Sequence, residues 1–315
     1  MAEEVWMLQT KKADFKQIGA RFRIDPVTAR IIRNRGIEGE AAIDRYLNGT
    51  LDDLYDPMLL KDMERAVSIL CEAVDTGKKI RIVGDYDIDG VCSTYILLQA
   101  FERLGSDVDF EIPDRIKDGY GINESIIEQA HADGVEVILT CDNGISAFHQ
   151  VELAKKYGMT VVITDHHEVP LDGEKEKIPP ADAVIDPKQA DCPYPFPEIC
   201  GAVVAYKLVQ VLYARRGVPQ MEWLDLLEFA AIATVGDVMK LQDENRILVK
   251  YGLKKMAQTK NLGLRRLAEK NNLDLGAITA YHIGFVIGPC LNAGGRLKTA
   301  KEALALLRAQ SEEEA

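Results

Sequence analysis

The stretch that most constrains this chain runs from Lys79 to Gln99, KIRIVGDYDIDGVCSTYILLQ. Ile80, Ile82 and Val83 read as a short buried strand, and Gly84 and Gly90 bracket a tight turn. Val91 to Gln99 then has the apolar spacing of a helix packed on a sheet. Between strand and helix stand three carboxylates at alternate positions, Asp85, Asp87 and Asp89. Such a joint ordinarily offers backbone N–H groups to an anion. Three carboxylates there repel a phosphate unless a divalent cation intervenes. A plainer reading is also open, an Asx-rich turn whose aspartates only cap the helix.

The rest of the chain supplies the context. Short Val/Ile runs at 80–84, 108–112, 135–140, 160–164 and 183–186 alternate with helical patterns at 91–104, 123–132, 146–157 and 201–215. Continuous apolar strands separated by helices imply a parallel sheet covered on both faces. The expected fold class is therefore α/β: a five-stranded, mainly parallel doubly wound sheet, with N-terminal helices and a C-terminal helical region. Ahead of it, residues 1–75 predict an N-terminal helical region, with two short helices parted at Asp25-Pro26, a third in EGEAAIDRYLN and a turn-rich connector in LDDLYDPMLL. The expected α/β core is 76–218, a helical part at 219–298 completes it, and 299–315 begins a connector to a second domain outside this sequence. Helices are expected at 222–235, 244–257, 262–270, 274–282 and 299–309, and LDGEKEKIPPAD and DPKQADCPYPFPEI read as loops.

Composition narrows the class. A length of 315 residues with 47% hydrophobic and 28% charged side chains suits a soluble globular protein. No apolar run approaches the ~20 residues that span a bilayer, and MAEEVWMLQTKK lacks a signal-peptide apolar region. The expectation is a cytoplasmic protein with no membrane contact. The six cysteines show no CxxC pairing and read as small buried hydrophobes. A net charge of −12 argues against a general nucleic-acid coating protein, though not against an enzyme with a local basic groove. Walker-type and GxGxxG loops are both missing from the sequence, which disfavours nucleoside-triphosphate and dinucleotide chemistry.

Open parallel sheets bind ligands outside the carboxyl ends of their strands. After the first strand come Asp85, Asp87 and Asp89; after the second, Asp114-Arg115 and Lys117-Asp118-Gly119-Tyr120-Gly121. The third runs into Asp142-Asn143-Gly144, the fourth into Asp165-His166-His167-Glu168, and the fifth into Asp186-Pro187-Lys188. Every strand thus delivers a carboxylate to one edge. Oxygen ligands with one or two imidazoles suit Mn²⁺ or Mg²⁺, and two such ions can drive an in-line phosphoryl displacement. Neighbouring residues of a strand face opposite ways, so His166 and His167 are expected in separate tasks, one on metal and one on substrate phosphate or leaving group.

GDYDIDG, CDNGIS and TDHH, in that order, resemble motifs of the DHH phosphoesterase superfamily. NRGI, DPMLLKDMERAV, IPDRIKDGYGIN, CGAVVAYKL, IATVGDVMKL and GPCLNAGGRL extend the resemblance over almost all of the chain, towards the branch of single-strand-specific exonucleases. The resemblance implies 5′→3′ hydrolysis of single-stranded DNA in repair and recombination, with two Mn²⁺ or Mg²⁺ ions. It implies metal ligands at Asp85, Asp87, Asp89, Asp142, His166 and Asp237, with His167, His166 and Asp142 in the catalytic group. Asp237 is a position that spacing alone does not find. For substrate binding it implies Arg115, Gly119, Tyr120, Gly121, Asn292 and Arg296. Cys290 stands where that family usually has Arg, and Asp186 where it more often has Asn. A single-strand-binding protein or a helicase is the partner class implied, and the oligomeric state is left open. Members of this branch carry a further domain and an oligonucleotide-binding barrel, so this chain is expected to be a catalytic-core fragment with weak processive activity. Rival expectations are a superfamily phosphodiesterase or pyrophosphatase acting on short oligonucleotides, cyclic dinucleotides or pyrophosphate; a dehalogenase-type phosphatase with an Asp nucleophile; and a non-catalytic nucleic-acid or replication-partner binding module.

Overall fold

Runs of β-branched residues stopped at each end by turns assemble here into a parallel sheet of order β2-β1-β3-β4-β7. Its strands are β1 (Ile80–Val83), β2 (Val108–Glu111), β3 (Val137–Cys141), β4 (Thr160–Thr164) and β7 (Ala183–Ile185). The register sets Ile80 beside both Val108 and Val137, Val137 beside Thr160 and Val162 beside Ala183. This computed structural model describes residues 11–114, 121–297 and 300–315, with 294–297 described by backbone alone.

Helices cover both faces. On one side α4 (Met63–Asp75), α5 (Ile88–Arg103), α8 (Gly201–Arg215) and α10 (Leu227–Gly236) share a core around Ile82, Ile96, Phe101, Tyr206 and Phe229. On the other, α6 (Glu124–Ala132) and α7 (Phe148–Lys156) pack on Val83, Ile138, Val161 and Ile163. Helix α8 is buried almost all round, which explains its continuous apolar sequence rather than a one-sided stripe. Ahead of the sheet, α1 (Phe15–Phe22), α2 (Pro26–Asn34) and α3 (Glu40–Asn48) close a small core of their own on Ile32, Ile43 and Tyr46. Asp14 and Asp25 cap α1 and α2 through the amides of Gln17, Val27 and Thr28, and Pro26 opens α2.

The first four helix expectations around the sheet, and all five strands, fall within a few residues of the observed elements. Three departures have local causes. The expected helix 222–235 breaks into α9 (Gln220–Leu224) and α10 at Asp225, whose carboxylate holds Lys255 and Lys260. LDGEKEKIPPAD is not wholly irregular, because β5 (Leu171–Asp172) and β6 (Lys175–Glu176) pair antiparallel. The expected helix 274–282 dissolves into a 3₁₀ turn at Leu275–Ala277 and the short α13 (Ala280–His282). Asp274 takes the Gly276 amide, and the Thr279 amide bonds the His282 ring, so side chains compete with a regular ladder. A π turn (Ile283–Ile287) and α14 (Gly288–Leu297) follow, then α15 (Ala300–Arg308). Helices α11 (Asp243–Met256) and α12 (Leu262–Lys270) complete this region.

Candidate metal centre

The carboxyl ends of β1, β3 and β4 lie side by side, so the residues that follow them meet. Asp87 is the N-cap of α5 and takes the amides of Asp89 and Gly90 at 3.0 Å each. The capping reading of the aspartate triplet is therefore correct for Asp87, and it does not exclude a second duty on the same carboxylate. Gly90 is obligatory here, because a Cβ would sit 2.4 Å from the Asp85 carbonyl oxygen. Asp89 turns the other way: its two oxygens accept the Gly201 and Ala202 amides at 2.7 and 2.8 Å, at the N-terminus of α8. Asp85 is fully buried, with Oδ1 3.3 Å from the Gly121 amide and Oδ2 without a hydrogen-bond partner among the described residues.

Asp142 follows β3 in the left-handed region at φ 61°. Asn143 locks that turn, its amide donating to the carbonyls of Val83 and Cys141 while its oxygen accepts from Ile122. His166 then points its Nε2 at a ring of carboxylates, 3.0 Å from Asp142, 3.4 Å from Asp89 and 3.9 Å from Asp237. Asp237 comes from a different layer, as the C-cap of α10. Three groups of ligand atoms result, each within 4.8 Å of one another: Asp85 with Asp87 and Asp142; Asp89 with His166 and Asp237; and Asp142 with His166 and His167. Asp142 belongs to two of them and His166 to two.

Electrostatics tests whether cations fit. Burial first, and then Asp87, pushes Asp85 up to about 7. Burial, with Asp89 and Asp87 beyond it, likewise pushes Asp237 up to about 7. Asp87 and Asp142 are raised by burial and by the neighbouring aspartates. Burial depresses His166, keeping it a neutral imidazole, the form that ligates metal. Its Nδ1 is buried without a hydrogen-bond partner among the described residues. Several buried carboxylates that mutually oppose ionisation, with an unbonded Asp85 oxygen among them, are the donor set that divalent ions satisfy.

The second histidine is held differently. His167 Nδ1 lies 2.7 Å from Asp165 Oδ1, and the rings of the two histidines are 4.5 Å apart. Burial opposes its protonation, but the Asp165 hydrogen bond and charge outweigh that and raise it to about 8. Asp165 also accepts the amides of Ile145, His166 and His167. Burial pushes Asp165 up, yet the His167 bond and charge leave it below the ordinary carboxylate range. Sequence reasoning gave neither Asp165 nor Asn143 a role. The available signal was the Asp directly before the histidine pair and the Asn directly after the third-strand Asp. Asp186 is buried beside Asp165, accepts the Lys188 amide at 2.8 Å and is pushed up to about 7 by burial and by Asp165.

Of the residues expected to bind substrate, Gly121 touches the centre through Asp85, and Asn292 is half-buried on α14 with its Oδ1 unbonded among the described residues. Arg296 lies on α14, but its side chain, like Arg115, Gly119 and Tyr120, falls outside the described residues.

A parallel sheet whose carboxyl edge collects aspartates and an adjacent histidine pair defines an α/β metal-site domain. Residues 79–234 match the DHH family, N-terminal domain. This chain belongs to the DHH family. It is 37% identical over 311 residues to the single-stranded-DNA-specific exonuclease RecJ of Bacillus subtilis, covering 98% of this chain and 38% of that protein. The RecJ of Haemophilus influenzae is 38% identical, covering 93% of this chain and 51% of that one. The crystal structure of RecJ in complex with Mn²⁺ from Thermus thermophilus superposes with a TM-score of 0.78 at 31% identity, covering 95% of this chain and 41% of that one. A crystal structure of exonuclease RecJ bound to manganese gives 0.72 at 35% identity, over 81% and 63% of the two chains. The chain thus spans about half the length, or less, of the curated relatives it matches.

Proposed function

We propose that this chain is the catalytic part of a metal-dependent exonuclease that hydrolyses single-stranded DNA from its 5′ end. The observation that carries this reading is the convergence of three ligand groups on the shared Asp142 and His166. Two ions, Mn²⁺ or Mg²⁺, held by Asp85, Asp87, Asp89, Asp142, His166 and Asp237, would supply an activated water and charge stabilisation for an in-line phosphoryl displacement. Asp142, between the groups, spaces them. Asp87 caps α5 through one oxygen and keeps the other for the centre, while Asp89 anchors α8 through both oxygens with its Oδ2 still 3.4 Å from His166. The Asp165 bond and charge favour a proton on His167, which sits beside the centre and is placed to protonate the departing oxygen, with Asp165 orienting the ring.

Arg115, Gly119, Tyr120 and Gly121 would hold and stack the strand, and Asn292 and Arg296 its 5′ side. The same proposal includes work in cytoplasmic DNA repair and recombination beside a single-strand-binding protein or helicase, and the division at 75, 218 and 298. The test is manganese-dependent digestion of end-labelled single- and double-stranded DNA beside His167→Ala and Asp142→Ala, with pyrophosphate as a parallel substrate. Mononucleotides should leave single strands only, and His167→Ala should slow release by about 10²–10⁴-fold. Hydrolysis of pyrophosphate with DNA untouched, or DNA cleavage indifferent to both substitutions, rejects the assignment.

A further inference from the structure

Charge is distributed unevenly in this acidic protein. Residues 11–35 carry eight Lys and Arg against two Asp, a surplus of six, while the whole chain stands at −12. Both aspartates, Asp14 and Asp25, are committed to capping α1 and α2. Arg33 and Arg21 lean on Glu38 and Glu40 at 2.7 and 3.4 Å. Lys12, Lys16 and Arg23 are exposed and have no carboxylate partner among the described residues. Unpaired cations repel one another, and the three-helix unit that carries them has only a small core on Ile32, Ile43 and Tyr46 to oppose that repulsion. Arg30 lies over the Phe15 ring at 4.7 Å, and beside it on the outer stripe of α2 Val27 and Ile31 are 67% and 49% exposed.

The position of this unit gives its charge a direction. Gln242 donates to the Arg35 carbonyl at 2.8 Å, Arg246 to the Tyr46 carbonyl at 2.6 Å, and Lys250 to the Gly49 carbonyl at 3.1 Å. Gln242 stands only five residues after Asp237. Fully extended, that link spans at most ~18 Å, so Arg35 is tethered near the metal centre. Exposed Lys240 lies on the link, paired among the described residues with the partly exposed Glu198 at 3.3 Å.

We propose that the N-terminal helical unit is a polyanion track that holds the single strand beyond its first few nucleotides, with its phosphates along the cations of α1 and α2. This rests on the exonuclease reading and extends it, since a track beside the centre lengthens the contact of strand with enzyme. An acidic protein segment is the competing occupant.

The test uses fluorescence anisotropy on the whole chain with labelled, 5′-phosphorylated dT5 and dT30, calcium replacing manganese to keep strands intact. One variant combines Lys12→Glu, Lys16→Glu and Arg23→Glu; its companion keeps the charge with Lys12→Arg, Lys16→Arg and Arg23→Lys. The reversed variant should bind dT30 at least tenfold more weakly than the unmodified chain, with dT5 unaffected. Its slope of log K against log salt should shrink by about 2, for three phosphate contacts at ~0.7 each. The charge-keeping variant should match the unmodified chain. Equal dT30 affinity and slope in the reversed variant overturns the track, and so does tighter, charge-dependent capture of an acidic peptide at the same surface. An unmodified chain that binds dT5 but gains nothing from dT30 also overturns it, leaving the exonuclease reading intact. If neither oligonucleotide binds, both fail.

Discussion

Two carboxylate clusters sit on the same sheet and behave in opposite ways. Towards the amino end of β1, Arg81 reaches Asp109 at 2.7 Å and Asp133 at 2.8 Å, with Lys79 3.3 Å from Asp109. Burial would raise Asp109, but the Arg81 bond and charge outweigh it and hold the group below the ordinary range. The Arg81 bond likewise lowers Asp133. At the carboxyl end, Asp85, Asp87, Asp142 and Asp237 face one another with imidazoles as their near neighbours, and all are raised. A cluster that brings its own cations is finished when the chain folds. One that leaves its carboxylates at odds is completed from outside, and that imbalance, rather than the number of aspartates, marks the functional end.

The contrast is broken most directly by removing one member from each cluster in metal-free protein. Arg81→Met should destabilise the fold by about 2 kcal/mol, chiefly by leaving Asp109 half-buried beside Lys79 alone. Asp142→Asn should act with the opposite sign at pH 8, raising the denaturation midpoint. The sign follows from linkage: Asp85 and Asp237 rise from 3.8 to about 7 on folding, so the stability present below about pH 4 drains away as pH climbs to about 7. Relieving one repelling charge restores part of it, and the gain should vanish at pH 4. A destabilising Asp142→Asn at pH 8 would remove the distinction between the clusters.

Manganese sharpens the comparison next. At a free concentration one hundred times its dissociation constant it should add about 2.7 kcal/mol, or roughly 4 °C in Tm for a chain of 315 residues. The chelator EDTA should reverse the rise, and Asp142→Ala should abolish it. Arg81→Met should keep the full increment, since the balanced cluster takes no ion.

The smallest effect concerns His167. In metal-free protein its ring should titrate by NMR near pH 8, and with Asp165→Asn fall to or below the ordinary value near 6.5. Stability contributed by the His167–Asp165 pair is complete below about pH 6.5 and lost as pH rises through 8. A ring that titrates at 6.5 in both proteins would mean that Asp165 does not orient it.

Much of this was legible in the sequence because a parallel sheet writes its binding edge into the chain as whatever follows each strand. Asp85, Asp87, Asp142, His166 and His167 all occupy such positions, and the strands around them carry period and punctuation. Asp237 does not, since it arrives at the end of a helix from another layer, and only the family resemblance pointed to it. The roles of Asp165 and Asn143 were hidden for another reason. Both act through hydrogen bonds to neighbouring turns, which depend on backbone directions that residue types alone do not carry. The regular helix expected over 274–282 failed where Asp274 and Thr279 diverted backbone bonds to side chains, a local competition that apolar spacing cannot see.

One contact fixes how far the site can drift. A Cβ on Gly201 would stand 2.7 Å from the Asp142 Cβ and 2.9 Å from its Cα, so helix α8 butts directly against the aspartate shared by two of the ligand groups. Six residues further on, buried Lys207 binds Glu244 of α11 and the Tyr55 carbonyl, each at 3.1 Å, pinning the same helix to distant parts of the chain. The helix is therefore a mechanical stop with a fixed seat. Any side chain at position 201 would press on the Asp142 backbone and disturb the amide that Asp89 accepts, so the closeness of this helix to the carboxylate edge is gauged by a hydrogen atom where any other residue would put carbon.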